Sequence, residues 1–273
     1  MPPRFTAAVC LSLAFGLSSC ARSGPASKAG TFVPRSEGTP SSYVAVHVDH
    51  LQTGGLKPFV AARRRWLEVL AAAGTSDGRG LFLQTGDSGF LSLRPLHVLG
   101  DLDRAPALAA SALSSVDPLA QKAYDSASDA LLVPPHRSEI WRYDADLSFG
   151  VTDPIAALSS AAWGKMTVEE IDPSPAGEAY EKAWADIRAA LMGESYPLVR
   201  VSYWSRFGSG NLVSLWLSKS QVEYLQTKSV EATVAAALGE EKAAELFAKQ
   251  HKAVLASDSI DVIPRMDLSS KAL

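Results

Sequence analysis

The stretch Tyr43-Val44-Ala45-Val46-His47-Val48-Asp49-His50-Leu51 opens the folded part of the chain and sets the pattern from which the fold is predicted. Valine at positions 44, 46 and 48 gives this stretch one apolar face, which is typical of a β-strand. Residues 21–41 before it are rich in serine, glycine, proline and threonine, a composition typical of a flexible linker. We therefore expect folded sequence from residue 42 onward.

The rest of the first half predicts helices and three more strands. Apolar residues recur at helical spacing over 58–73, where Pro58 suits the first turn and Gly74 follows the last. A turn at Gly86-Asp87-Ser88-Gly89 separates two strands. The predicted elements are a strand over 43–51, a helix over 58–73, strands over 80–85 and 90–96, a helical region over 105–132 interrupted near Asp117-Pro118, and a strand over 139–143.

The second half repeats this order, which indicates a duplication. Trp66 and Trp184 lie 118 residues apart on the predicted helices, and an Asp-Leu-Ser tripeptide follows each final strand, at 146–148 and 267–269. The predicted elements are a strand over 163–171, a helix over 177–192, strands over 198–207 and 212–217 around Gly208-Ser209-Gly210, a helical region over 221–255 broken near Gly239, and a strand over 260–266.

A β-α-β-β-α-β unit is the ferredoxin-like motif, whose helices cover one face of a four-stranded sheet. The other face needs cover, which a second copy provides. Residues 42–269 thus resemble a fused member of the dimeric α/β-barrel superfamily, in architecture rather than in a diagnostic motif. We predict an α+β domain of two tandem ferredoxin-like repeats, over 42–150 and 160–269, whose antiparallel sheets pack into one barrel with helices outside.

The N-terminus predicts export and lipidation. Arg4 precedes a mostly apolar run over 5–17 that is too short for a membrane-spanning helix. The run leads into Leu17-Ser18-Ser19-Cys20, which resembles the lipobox of bacterial lipoproteins. The resemblance implies a signal peptide over 1–19, a lipidated Cys20 that ties the chain to a membrane of the cell envelope, and, because Ala21 is not acidic, the outer membrane in a Gram-negative organism. The alternative is a secretory peptide with an incidental cysteine.

Composition excludes several kinds of chemistry and partner. The formal net charge is −3 and no long basic run occurs, so we expect no nucleic-acid partner. Cys10 lies in the predicted signal peptide and Cys20 carries the predicted lipid, which leaves no thiol for a disulfide, a thiolate metal site or a nucleophile. Ser88 stands in a partial serine-protease signature, but its surroundings are those of an ordinary turn and no catalytic role is predicted.

His47 and Asp49 are the first candidate binding residues. They share one face of the predicted strand, opposite the valines, whereas His47 and His50 point to opposite faces and are poorly placed to share a metal ion. If the valines pack on the helices, His47 and Asp49 face the barrel interior; the alternative is a hydrogen-bonded or exposed histidine near the strand end. We predict no metal site. The remaining histidines show no ligand spacing: His97, His136 and His251.

A group of aromatic and arginine residues is the second candidate. Arg200 and Trp204 alternate with valines on one predicted strand, Trp216 lies on its partner strand, and Trp141 lies in the first repeat. If the valines of this strand also pack on the helices, the residues that alternate with them face the barrel interior or solvent. Around a cavity they would suit an organic anion or a flat apolar ligand. The alternative is that the aromatic side chains fill the barrel and the arginines reach water at its mouth.

These predictions lead to one function hypothesis and two alternatives. The first is a lipid-anchored envelope protein that binds a small molecule or a protein partner at the barrel, without catalysis and without a cofactor. The superfamily resemblance implies the second, a monooxygenase-like or haem-using oxidoreductase. The third is an envelope scaffold whose barrel is filled, which would have a dry interior without a pocket.

Overall fold

A computed structural model describes residues 42–207 and 210–270. The predicted signal peptide, the predicted lipid site at Cys20 and the linker over 21–41 lie outside the described residues, as do Gly208 and Ser209 of the second hairpin. Within the described part of the chain, no helix combines the length and the apolar character needed to cross a membrane.

The first half folds in the predicted order of elements. Its elements are β1 (Tyr43–His50), α1 (Leu56–Ala72), β2 (Leu81–Thr85), β3 (Gly89–Leu96), α2 (Asp101–Leu113), α3 (Pro118–Asp129) and β4 (Arg137–Tyr143). The predicted interruption near Asp117-Pro118 separates α2 from α3. Asp117 caps α3 there, since its side chain accepts a hydrogen bond from the backbone N–H of Leu119.

The second half begins after an additional helix that the sequence pattern did not predict. Its elements are α4 (Pro154–Ser160), β5 (Trp163–Ile171), α5 (Pro175–Gly193), β6 (Val199–Phe207), β7 (Leu212–Ser218), α6 (Gln221–Gln226), α7 (Val230–Leu238), α8 (Glu240–Ala253) and β8 (Val254–Pro264). The helical region predicted over 221–255 is three helices, and β8 begins at Val254 rather than at residue 260.

The eight strands close one antiparallel barrel in the order β1-β3-β2-β8-β5-β7-β6-β4. Each repeat contributes four neighbouring strands, and the pairs β2–β8 and β4–β6 join the two sheets. Val46 lies opposite Leu93 in the first repeat and Met166 lies opposite Leu215 in the second, so Val46 and Met166 hold equivalent positions. The predicted fold class, two ferredoxin-like repeats forming one α+β barrel, is confirmed.

Side chains fill the barrel interior. Its core includes Val44, Val46, Leu81, Leu83, Leu91, Leu93, Trp141, Met166, Val201, Tyr203, Val213, Leu215, Leu217 and Val262. Leu158 of α4 is fully buried against this cluster, so the helix between the repeats covers the core. At Gly164 on β5, a Cβ atom would lie 2.9 Å from Leu217 Cδ2 and 3.1 Å from Val262 Cγ2. The interior at Gly164 is therefore too tightly packed to accept even a methyl group without a shift.

For β1 and β6, the condition that the valines pack on the helices is not met. The valines of β1 and β6 point into the barrel, so His47 and Asp49 lie on the outer wall, and Trp204 and Trp216 pack with the helices of the second repeat. An eight-stranded barrel is just wide enough for its own side chains. A buried guanidinium needs polar partners, which Arg200 finds in the layer between sheet and helices. Period-two alternation separates two faces without saying which one is inside.

The Asp-Leu-Ser tripeptides connect the repeats reciprocally. Leu147, which follows β4 of the first repeat, packs in the helix–sheet core of the second repeat. Leu268, which follows β8 of the second repeat, packs in the core formed by Phe59, Phe82 and Phe90 of the first. Backbone N–H groups of each sheet donate to the serines: Ser202 N lies 3.0 Å from Ser148 Oγ, and Phe82 N lies 3.1 Å from Ser269 Oγ. Each tripeptide thus extends from one repeat and packs on the other, and we call the two segments, 146–148 and 267–269, the exchanged arms.

Candidate functional site

His47, Asp49 and His136 form a cluster on the outer wall of the barrel, at the edge shared by β1 and β4. His47 and Asp49 are two residues apart on β1 and therefore share one face of the strand. Val46 on the same strand points into the barrel, so His47 and Asp49 point outward. Val48 pairs with Arg137 in the antiparallel register of β1 and β4. The next step of that register brings His136, which precedes β4, beside Asp49.

The carboxylate of Asp49 lies between the two imidazoles. His136 Nδ1 is 3.0 Å from Asp49 Oδ1, and His47 Nε2 is 3.1 Å from the same oxygen. The two rings stack with their centroids 5.9 Å apart. The side chain of Asp49 is 7% exposed, whereas those of His47 and His136 are 42% and 38% exposed. The carboxylate is therefore buried beneath two histidines that reach solvent.

Further contacts determine the charge and the orientation of this cluster. Burial alone would raise the pKa of Asp49, but its contacts with His47 and His136 and the positive charge of Arg79 hold that pKa below its ordinary value. Asp49 is therefore ionised at neutral pH. Ser138 Oγ lies 2.8 Å from His47 Nδ1, and this hydrogen bond fixes the ring with Nε2 toward Asp49.

The sequence connected His47 with Asp49, and the structure adds His136 to them. One ligand atom from each of the three residues lies within 4.8 Å of the other two. Two imidazoles and a carboxylate can accept and donate protons as a hydrogen-bonded acid–base group, or they can act as metal ligands. His50, the other histidine of the His-x-x-His pattern, is exposed and lies outside the cluster. His136 has no informative spacing to His47 along the chain; only the antiparallel pairing of β1 with β4 would have revealed it.

Arg200 lies in the second repeat, between the sheet and α5. It is 5% exposed, and its Cζ lies 4.0 Å from the ring centroid of Trp184 and 5.9 Å from that of Trp216. Its Nη2 donates to Ser214 Oγ at 2.7 Å and to the hydroxyl of Tyr180 at 3.2 Å. Within the described part of the chain, its Nε has no hydrogen-bond partner. Arg200 therefore connects the sheet to helix α5. The sequence analysis expected it to face the barrel interior or solvent, and it does neither.

Trp204 occupies the same helix–sheet layer as Arg200. It is half-buried, and its Nε1 donates to Asp144 Oδ2 at 3.2 Å. The predicted grouping of Arg200, Trp204 and Trp216 around an internal cavity is not observed, because all three side chains lie on the outer face of the sheet. Strand pairing places Arg200 directly opposite Trp216, as the predicted hairpin of these two strands implied, whereas Trp204 lies opposite Leu212.

Trp141 does point into the barrel, where it meets polar groups. Its Nε1 donates to Glu139 Oε2 at 2.8 Å, and Ser205 Oγ donates to the same oxygen at 2.9 Å. Arg137 Nε lies 2.9 Å from the other carboxylate oxygen. Tyr203 is fully buried beside Trp141, and burial raises the pKa of its hydroxyl. Glu139 is therefore a buried carboxyl group whose Oε2 is hydrogen-bonded, whereas its Oε1 lies near Arg137 but accepts no hydrogen bond within the described part of the chain. No sequence motif distinguished it.

Comparisons with known proteins show likeness only at the level of solved structures. No protein-family model matches the chain, and no curated protein sequence matches it. A candidate monooxygenase from Fusobacterium nucleatum subsp. nucleatum ATCC 25586 is similar, with 11% identity, 84% of this chain and 94% of that chain covered, and a TM-score of 0.49.

Two other solved structures give similar values. A candidate monooxygenase from Lactobacillus acidophilus NCFM covers 85% of this chain and 99% of its own, with 8% identity and a TM-score of 0.47. A chlorite dismutase from Candidatus Nitrospira defluvii, in complex with imidazole, covers 83% and 92%, with 7% identity and a TM-score of 0.45. Similarities at this level carry neither an activity nor a cofactor over to this chain.

Proposed function

We propose that this chain is a lipid-anchored protein of the cell envelope that works by binding, with the barrel as a rigid support and the ligand or protein partner held on the outside. The filled barrel, which the scaffold alternative also predicts, rules out an internal site, and the observation that carries binding on the outside is the pair of surface depressions beside Tyr196 and Arg64. Val46, Leu83 and Tyr203 are at most 1% exposed, and Leu158 of α4 covers the cluster that contains them. A ligand inside the barrel would have to displace this core.

Depressions are found on the outer surface. Two depressions of about 280 and 350 Å³ lie there, one beside Tyr196, Thr227 and Lys228 and the other beside Val60 and Arg64. These volumes are near the lower end of the range of about 300–1,000 Å³ typical of small-molecule sites. The geometry thus favours surface binding over the internal site that the strand alternation led us to expect.

The N-terminal sequence supports the anchored location. Leu17-Ser18-Ser19-Cys20 has the order of a lipobox, and the serine- and glycine-rich segment over 21–41 would separate a lipid from the folded domain. Acyl chains on Cys20 would hold the protein at a membrane because each buried CH₂ contributes about 0.8 kcal/mol. In a Gram-negative host the outer membrane is the proposed location.

Two cysteine variants test the anchor. Cys20→Ser removes the proposed lipid site, whereas Cys10→Ser changes a residue within the proposed signal peptide and is the matched control. Membrane fractionation should find the Cys20→Ser protein in the soluble fraction and the Cys10→Ser protein in the membrane fraction. A Cys20→Ser protein that stays with the membrane would contradict lipidation.

Haem binding tests the closed interior. Native mass spectrometry of the purified protein should show the mass of the chain and its lipid alone, and added haemin should leave the Soret spectrum that of free haemin. A stoichiometric haem complex with a shifted Soret band would contradict the proposal and support the oxidoreductase alternative.

A further inference from the structure

We propose that His47, Asp49 and His136 form a binding site for one divalent first-row transition-metal ion, such as Zn²⁺. The inference goes beyond the proposed function, and it holds whether or not the chain carries a lipid. It assigns the exposed histidines of the outer wall a common role, with Nε2 of His47, Nδ1 of His136 and a carboxylate oxygen of Asp49 as the ligand atoms.

The distances suit a shared ion. The two nitrogens lie 3.1 and 3.0 Å from Asp49 Oδ1. Ligands about 2.1 Å from a tetrahedral ion such as Zn²⁺ are about 3.4 Å apart, so the two nitrogens would each move outward by only a few tenths of an ångström to share an ion with Asp49 Oδ1. All three donors lie within 4.8 Å of one another, and the two imidazoles are partly exposed, so they have freedom to close on an ion.

The donor types restrict the ion. Two neutral imidazoles with one carboxylate favour Zn²⁺, Fe²⁺, Ni²⁺ and similar ions, while Mg²⁺ and Ca²⁺ prefer sites made of oxygen atoms. Within the described part of the chain, no lysine or arginine forms an ion pair with Asp49. Its carboxylate thus has the two histidines as its close partners, and the charge of Arg79 acts on it without a direct ion pair.

The surroundings hold the ligands in place. Ser138 Oγ accepts from His47 Nδ1 when that nitrogen carries the proton, and Nε2 then keeps a lone pair for the metal. Asp49 is 5% exposed and fixed on a paired strand. Only the histidine side of the cluster faces solvent. A bound ion would therefore complete its coordination with water or with a donor from a partner molecule.

The second repeat provides an internal comparison. Equivalent pairing of β5 with β7 and β8 places Thr167 at the position of His47, Glu169 at that of Asp49 and Ser257 at that of His136. Thr167 Oγ1 and Ser259 Oγ lie 3.2 Å apart, just as His47 meets Ser138. The fold itself therefore needs only hydroxyl groups here, and both imidazoles are particular to the first repeat.

Isothermal titration with Zn²⁺ tests the site on the exported, untagged protein. We expect one equivalent to bind saturably. His47→Gln and His136→Gln should each weaken binding by at least tenfold, and Ser138→Ala by about tenfold to a hundredfold, as for other groups that orient a metal ligand. His50→Gln, a change of an exposed histidine outside the cluster, is the matched control and should bind like the unchanged protein.

Co²⁺ provides a second readout that reports the ligands directly. Bound Co²⁺ should give visible absorption bands that disappear in His47→Gln with His136→Gln. Asp49→Asn keeps the shape of the side chain and should also lose the bands while its circular dichroism stays unchanged, which separates loss of a ligand from loss of the fold. Absence of saturable Zn²⁺ binding, or undiminished binding by the double histidine variant, would overturn the proposal.

Discussion

Each repeat buries a guanidinium between its sheet and its helices, but the two repeats do so differently. In the first repeat the group comes from helix α1, where Arg63 is fully buried, pairs with Asp77 and donates from Nε to the Leu268 carbonyl at 3.0 Å. In the second it comes from strand β6, where Arg200 stacks on Trp184 and donates to neutral hydroxyls.

The difference shows that one fold permits two ways to stabilise a buried cation. The ion pair of the first repeat makes each partner dependent on the other, because a lone buried charge is strongly destabilising. Both guanidinium groups lie over an aromatic ring, since Arg63 Cζ is 4.8 Å from the ring centroid of Phe82, but only Arg200 has no carboxylate as a direct partner. Removal of Arg200 therefore leaves only neutral groups without a partner. The first repeat should therefore be the more sensitive to substitution and to acid.

Substitution of the carboxylate should give the largest effect. Asp77→Ala leaves Arg63 without its ion-pair partner and should lower the free energy of unfolding by about 3–5 kcal/mol. Arg200→Met keeps much of the side-chain volume and should cost about 1–3 kcal/mol through unpaired hydrogen-bonding groups. Urea unfolding measures both, and Asp87→Ala in the exposed β2–β3 turn is the control. Equal losses for Asp77→Ala and Arg200→Met would break the comparison.

Replacing both members of the ion pair sharpens this result. Arg63→Met with Asp77→Leu removes both charges together, so it should recover much of the stability lost in Asp77→Ala. Recovery remains incomplete because Trp66 Nε1 and Ser270 Oγ also contact the Asp77 carboxylate, at 3.0 and 2.7 Å. A double variant no more stable than Asp77→Ala would show that the charge is not the cause.

The two exchanged arms pack alike, so truncation of either one should lower the free energy of unfolding by a similar amount. Leu147→Ala and Leu268→Ala each remove a buried side chain from the core of the other repeat. Each should lower the free energy of unfolding by about 2–5 kcal/mol. Leu119→Ala, at a side chain that is 75% exposed, should change it by no more than about 0.5 kcal/mol. A large difference between the two arms would contradict their equivalence.

Acid should destabilise the first repeat through Asp77. Burial opposes its ionisation, but Arg63, Arg79 and Ser270 together hold the pKa of Asp77 far below its ordinary value. A carboxyl group with a depressed pKa stabilises the fold above the pKa of the unfolded chain and loses that contribution as pH falls toward the folded value. Below about pH 4, protonation of Asp77 should lower the free energy of unfolding by up to about 1.4 kcal/mol for each pH unit.

Urea midpoints of the unchanged protein and of Asp77→Asn measure this dependence. The difference between the two should be largest at pH 7 and should shrink as the pH falls from 4 to 2. A difference that stays constant with pH would mean that the Asp77 charge contributes little.

The smallest expected effect is a gained metal site in the second repeat. Thr167→His with Ser257→His places two imidazoles beside Glu169 and should add a second equivalent of Zn²⁺. Binding should be weaker than at the proposed first site, because Glu169 also accepts a hydrogen bond from Tyr180 at 3.0 Å. Titration gives the stoichiometry, and Thr167→His alone is the control. A stoichiometry that remains at one would show that the strand register alone does not create the site.

The sequence by itself determined the elements, their order and the duplication. Local signals were sufficient there: valine alternation for β1, Pro58 and Gly74 around α1, and Asp117-Pro118 at the start of α3. These signals act within a few residues along the chain, so no knowledge of distant contacts is needed. The short helix α4 was missed because its apolar run is brief and lies between the repeats.

Only the tertiary structure decided which face of each strand is inside and which side chains meet. Alternation divides β1 and β6 into two faces, but barrel closure determines that the valines are inside and that His47 and Arg200 are outside. His136 joins His47 and Asp49 because β4 pairs with β1, a contact between residues far apart in sequence. The side chains of the candidate site are thus given by the sequence, and their proximity by the pairing of distant strands.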